Sequence, residues 1–126
     1  MRTIPAAGAA LDHPYSLVRT VDGRTAWLSG VLPYAVDGSV VLERDGAIDA
    51  ALRVLAERVV AAGATLDDVV QTTVYLTDLG WRDAVNAAYA RAFTPPLPAR
   101  TAVEVRRLPR DAPIELDAVV QLGGRA

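Results

Sequence analysis

At 126 residues, with 52% apolar residues and a formal net charge of −2, the chain has material for one hydrophobic core and not for two. A pI near 5.3 gives no basic footprint for nucleic acid. All 13 basic side chains are arginines and cysteine is absent, which excludes Schiff-base lysine chemistry, thiol nucleophiles, disulfides and thiolate metal sites.

The single histidine, His13, has no histidine partner, so a conventional zinc site is not expected. The opening stretch MRTIPAAGAALDHPYS lacks a long apolar core, and no run is long enough to span a bilayer. The expectation is a soluble, cytoplasmic protein forming a single domain over residues 1–126, without linker, repeat or low-complexity segment. The apolar fraction is high for a monomer of this size, which points to surface shared with another subunit.

Along the chain, YSLVRTVDGRTAWLSGVLP (15–33) gives two β-prone runs around Asp22-Gly23, a dipeptide favoured in tight hairpins. YAVDGSVVLERDG reads as a short strand or a loop. From about Ile48 to Ala62, the residues Ile48, Leu52, Leu55, Val59 and Ala62 recur at three- and four-residue spacing. Arg53, Glu57 and Arg58 take other sides, so this is an amphipathic helix ending at Gly63.

TLDD has the spacing of a capping box and is read as a short turn before the next strand. In that strand Val70, Thr72, Val74 and Leu76 alternate with Gln71, Thr73 and Tyr75. GWRDAVNAAYARAF (80–93) is a second helix with Trp81, Val85, Ala88 (or Tyr89) and Ala92 on one stripe, and the prolines of TPPLP stop it. Two further strands follow, over 100–106 and 114–121. The order predicts an α+β architecture, a mixed sheet with both helices on one face.

Residues two apart in a strand share a face. Arg100, Ala102, Glu104 and Arg106 point one way, and Thr101, Val103 and Val105 the other. In the last strand Ile114, Leu116, Ala118 and Val120 alternate with Glu115, Asp117, Val119 and Gln121. If the more apolar set of each strand meets the helices, Arg100 and Glu115 share the open face with Gln71, Thr73 and Tyr75. That face is either solvated or packed against other subunits. A desolvated guanidinium there needs a carboxylate, from a side chain or from a ligand.

The segment PARTAVEVRRLPRDAPIELDAVV resembles the C-terminal signature of the RidA/YjgF family of imine deaminases, P-A-R-S-x-V-E-V-x-x-L-P-x-D-x-x-I-E-I-E-A. LSGVLP is similar to that family's SGQIP turn, and VVQTTVYLTDLGWRDAVNAAYARAF to its central block. HPYS falls where the family has GPYS. The resemblance runs in order through nearly the whole chain. It implies a chorismate-mutase-like α+β fold, assembled as a homotrimer with sites between subunits.

By the same resemblance, Arg100 grips a substrate carboxylate, and Glu115 places a water or handles protons beside an imine. Tyr15 lies near the pocket, Ser29, Gly30 and Asn86 shape it, and Ala102 makes a backbone contact where many members carry cysteine. The implied reaction is hydrolysis of 2-imino acids, such as the imine of 2-aminoacrylate, to 2-oxo acids and ammonia, without a cofactor. The implied partners are a small 2-imino or 2-oxo carboxylate and further copies of the chain, with no nucleic acid and no membrane.

Val31, where the family has a polar residue, and His13, where it has glycine, motivate the alternative of a specialised enzyme for a bulkier imine. A non-catalytic carboxylate sensor is a second alternative. Of the other charged and aromatic residues, Asp117 reads as structural, a salt-bridge partner for Arg100 or for a neighbour's arginine. Glu104 and Arg106 read as a cross-strand or intersubunit ion pair, weak as a source of stability, and Trp27 and Trp81 as packing.

Overall fold

The structure, a computed structural model, describes residues 14–123. Strand β1 (Val18–Val21) turns through Asp22 and Gly23, both at positive φ (56° and 64°), into β2 (Thr25–Val31). This is the hairpin that Asp-Gly predicts, since both central residues of such a turn need the left-handed region. Residues 34–43 form a loop whose one bridge joins Tyr34 to Val40.

Helix α1 spans Arg44–Ala61 and begins a turn earlier than the apolar spacing predicts. The cause is Glu43, whose carboxylate accepts the orphan N–H groups of Asp45 and Gly46 at 3.1 and 2.7 Å. Past Gly63 (φ 95°) the chain makes a 3-10 turn at Leu66–Asp68, with the Asp68 carboxylate accepting the N–H of Thr65. Strand β3 (Val69–Leu76), helix α2 (Arg82–Ala92), strand β4 (Ala99–Glu104) and strand β5 (Ile114–Gln121) complete the fold.

The sheet order is β1-β2-β5-β3-β4. All pairs are antiparallel except β3 with β4, which α2 connects as a crossover. β5 is thus inserted between β2 and β3, and α1 and α2 lie together on one face. The core sits between that face and the helices, where Leu116, Leu76, Leu55, Val74 and Val120 are all fully buried. Burying such side chains stabilises the fold by about 1.5–3 kcal/mol each.

Register decides which residues share a face, and here two expectations are corrected. Arg100 pairs with Thr72 and Ala102 with Val74, which places Arg100 on the helix-covered face. Glu115 pairs with Tyr75 and Asp117 with Thr73, on the open face. Arg100 and Glu115 therefore lie on opposite faces, and β3 separates their strands. The physical reason is that β4 is an edge strand: its polar set meets the rim of α2, while its more apolar set, including Val103, looks outward. Trp27, expected to pack, pairs with Arg19 and Val119 and is 47% exposed on the open face.

Candidate active site

Arg100 stands on β4 beside α2. Its Nη2 donates to Asn86 Oδ1 at 2.7 Å, and its guanidinium carbon lies 4.9 Å from the centroid of the Tyr89 ring. Tyr89 is fixed in turn: its hydroxyl is 2.8 Å from the hydroxyl of the fully buried Thr72. The helix therefore presents an aromatic face and an amide, i and i+3 on one side, that hold the guanidinium without neutralising it. No ion pair among the described residues includes Arg100. A cleft of about 310 Å³ opens beside it, walled by Tyr89, Ala90, Leu97 and Pro98. A cation held by neutral partners at the mouth of a mainly apolar cleft is suited to bind an external carboxylate through its two-pronged fork.

Glu115 belongs to a second cleft, of about 250 Å³, shared with Gly30, Tyr15 and Arg58. Burial, with the negative charge of Asp117 adding to it, raises the Glu115 carboxyl from its ordinary value. Both effects disfavour the ionised form, the direction that moves a carboxylate toward the pKa of a useful general base. Asp117 is held by a 3.0 Å hydrogen bond donated by the Tyr75 hydroxyl. It does not bridge Arg100, which is on the other face.

Gly30 explains how the carboxylate reaches its place. A Cβ at that position would collide with Glu115 Oε2 and stand 2.7 Å from its carboxyl carbon. Only a residue without a side chain lets Glu115 lie across β2. Gly30→Ala is expected to lower turnover nearly as far as removing the Glu115 carboxylate does, with the circular dichroism spectrum kept. Parallel turnover and spectroscopic measurements on the purified variant check this.

The remaining expected site residues divide between these regions. Tyr15 is half exposed and lines the Glu115 cleft. Ser29 donates its hydroxyl proton to Ser16 O at 2.6 Å, tying the approach to β1 against β2. Ala102 is half-buried on the Arg100 side. His13 lies outside the described residues. Glu104 accepts the N–H of Leu79 at 2.9 Å, and none of the ion pairs among the described residues joins it to Arg106. Trp81 packs against the core as expected.

Sequence reasoning did not single out Tyr89 as the support for Arg100, or Arg58 as part of the Glu115 cleft. Tyr89 could have been found from its three-residue spacing after Asn86. Arg58 could have been found from its position three residues past Leu55, beside the buried stripe.

Two charged groups on opposite faces of one sheet define a small α+β protein that presents an arginine without an ion-pair partner among the described residues and a carboxylate of raised pKa in separate clefts. The sequence profile of the family described as Endoribonuclease L-PSP matches residues 7–122. The chain is 39% identical over 113 residues to Protein DfrA of Myxococcus xanthus, covering 84% of this chain and 83% of that one. It is 38% identical over 116 residues to the mouse 2-iminobutanoate/2-iminopropanoate deaminase, covering 87% and 82%. Among solved structures, the YjgF gene product of E. coli superposes with a TM-score of 0.78 at 33% identity, covering 89% of this chain and 91% of that one. The chain belongs to the RidA/YjgF family.

Proposed function

We propose that the protein hydrolyses 2-imino acids to 2-oxo acids and ammonia in a site formed where Arg100 of one copy meets Glu115 of another, within a homotrimer. The observation that carries this reading is the uncommitted Arg100 guanidinium, held by Asn86 and Tyr89 with no acidic partner among the described residues. The exposed apolar residues of the open face, Val21, Trp27 and Val103, support burial against neighbouring copies. The mouse relative's activity supports the reaction class.

In this mechanism Arg100 holds the α-carboxylate by charge-assisted hydrogen bonds and fixes the imine carbon. The substrate nitrogen is protonated, and Glu115 orients a water and takes its proton as the oxygen bonds to the iminium carbon, while the π pair of C=N moves to nitrogen. Glu115 passes the proton to the nitrogen. The hydroxyl of the resulting carbinolamine then gives its proton to Glu115 as C=O forms, the C–N bond breaks and ammonia leaves. Ammonia takes up that proton, so the base is regenerated. The iminium is already electrophilic, so positioning and one base suffice.

The family description names an endoribonuclease, but a net charge of −2 and a pI near 5.3 give this chain little electrostatic drive toward RNA. The test couples an amino-acid oxidase to semicarbazide trapping. The purified protein is expected to divert the imine to 2-oxo acid and to run as a trimer by light scattering. Undiminished semicarbazide capture across small and bulky amino acids would reject the reaction, and a monomer of full activity would reject the shared site.

A further inference from the structure

The Glu115 cleft holds a second charged group for which the proposed reaction has no use. Arg58, on α1, lines it together with Gly30, Tyr15 and Glu115. Its Nη1 is buried and has no hydrogen-bond partner, and none of the ion pairs among the described residues includes it. By contrast Arg53, five residues earlier on the same helix, is engaged by Glu57 at 2.8 Å and by the Tyr34 carbonyl. An arginine does not shed its proton, so a buried, unpaired N–H of a guanidinium is a standing cost until an acceptor meets it, and a carboxylate meets its charge as well.

Glu115 does not serve as that anion. The two are not within ion-pair distance, and Glu115 is raised by burial and by Asp117, with no offset from Arg58. The cleft, about 250 Å³, falls just below the usual size of small-molecule sites, roughly 300–1,000 Å³, so its occupant is short. Leu17, Val31, Leu32 and Pro109 also line the cleft, and apolar walls strengthen a charge pairing made beside them.

We propose that Arg58 is a specificity-determining residue that pairs with a second acid group at the far end of the substrate, so that the preferred substrate is a short 2-imino diacid. The assignment rests on the hydrolytic reading above. In it Arg100 holds the α-carboxylate, Glu115 faces the imine carbon, and Arg58 receives the side-chain carboxylate. Selection against small neutral imines follows, because they leave the guanidinium unpaired.

The test compares imines generated in situ from aspartate and from alanine, on wild type, Arg58→Leu and Arg58→Lys. Wild type is expected to favour the diacid imine in kcat/KM by about 10- to 100-fold, the range of one charge-assisted hydrogen bond. Arg58→Leu is expected to erase that preference by loss on the diacid alone, and Arg58→Lys to keep part of it. Equal losses on both substrates, or no change on either, overturn the proposal. Calorimetric binding of oxaloacetate against 2-oxobutanoate, which have the same chain length, separates the two readings. If no imine is hydrolysed, yet wild type binds the diacid at least about 10-fold more tightly and Arg58→Leu does not, hydrolysis fails and Arg58 stands. If wild type binds both alike, the assignment of Arg58 is overturned as well.

Discussion

Arg100→Ala is expected to lower kcat/KM for 2-imino acid hydrolysis by about 100-fold, the loss that follows when charge-assisted hydrogen bonds of roughly 1.5–3 kcal/mol each are withdrawn from the substrate carboxylate. The fold is expected to survive. Arg100 forms no ion pair among the described residues, so its removal strands no buried carboxylate. What the protein itself loses is one hydrogen bond to Asn86 and the cation over the Tyr89 ring, the latter contributing about 0.5–1 kcal/mol at an exposed site. Tyr89 keeps its hydrogen bond to Thr72, so the wall of the cleft stays in place. Arg100→Lys carries the charge but not the planar fork, and is expected to recover only part of the activity. The measurement is semicarbazide-trapped turnover beside thermal melting. A variant that melts like wild type and turns over imine within a few-fold of it would remove Arg100 from the site.

How much of this was legible in the sequence depends on where each strand sits. β5 is the centre of the sheet, and its alternation of Ile114, Leu116, Ala118 and Val120 with Glu115 and Asp117 gave the right faces without help from the structure. The same rule failed on β4. There the apolar set looks away from the helices, because the residues of an edge strand at the rim of the helix layer do not have their polarity set by the core. The reversal carries functional meaning: it is the reason one chain does not unite Arg100 with Glu115.

Other misses have local causes. Val69 is buried and Val70 exposed because the register of β3 shifts against β5 between Val69 and Gln71, and a bulge breaks simple alternation. The early start of α1 hid behind Gly46, a poor helix former that Glu43 compensates by capping. The spacing puts Arg58 on another side from the apolar stripe of α1, and period alone does not distinguish an arginine at the edge of the buried stripe from one in water. Pro109, far away in sequence, lines the same cleft as Arg58, and no helical period reveals that.

Removing the other half of the site is expected to do more than slow the reaction. Glu115→Gln should lower kcat by about 10²- to 10⁴-fold with KM little changed, as for loss of a positioned general base. In wild type the acid limb of the rate profile should lie above that of an unperturbed glutamate, because the base must be ionised and its pKa is raised by burial and by Asp117. Asp117→Asn removes the like charge and should move that limb toward lower pH. The same shift fixes the sign of the stability effect. A carboxyl whose pKa is higher in the folded state binds its proton more tightly there, so its stabilising contribution is present below the unfolded pKa. That contribution is lost as pH rises through the folded value. Above the folded value the ionised Glu115 is therefore disfavoured by its surroundings, and glutamine removes that cost. Glu115→Gln should melt higher than wild type at pH 7 and lose that advantage toward pH 4. An inactive variant with no gain in melting temperature at pH 7 would mean that the carboxylate is not desolvated in the assembled protein. An active one would mean that the base lies elsewhere. The two gains and losses together, activity down and stability up at one position, are what a site group held against its own solvation preference produces.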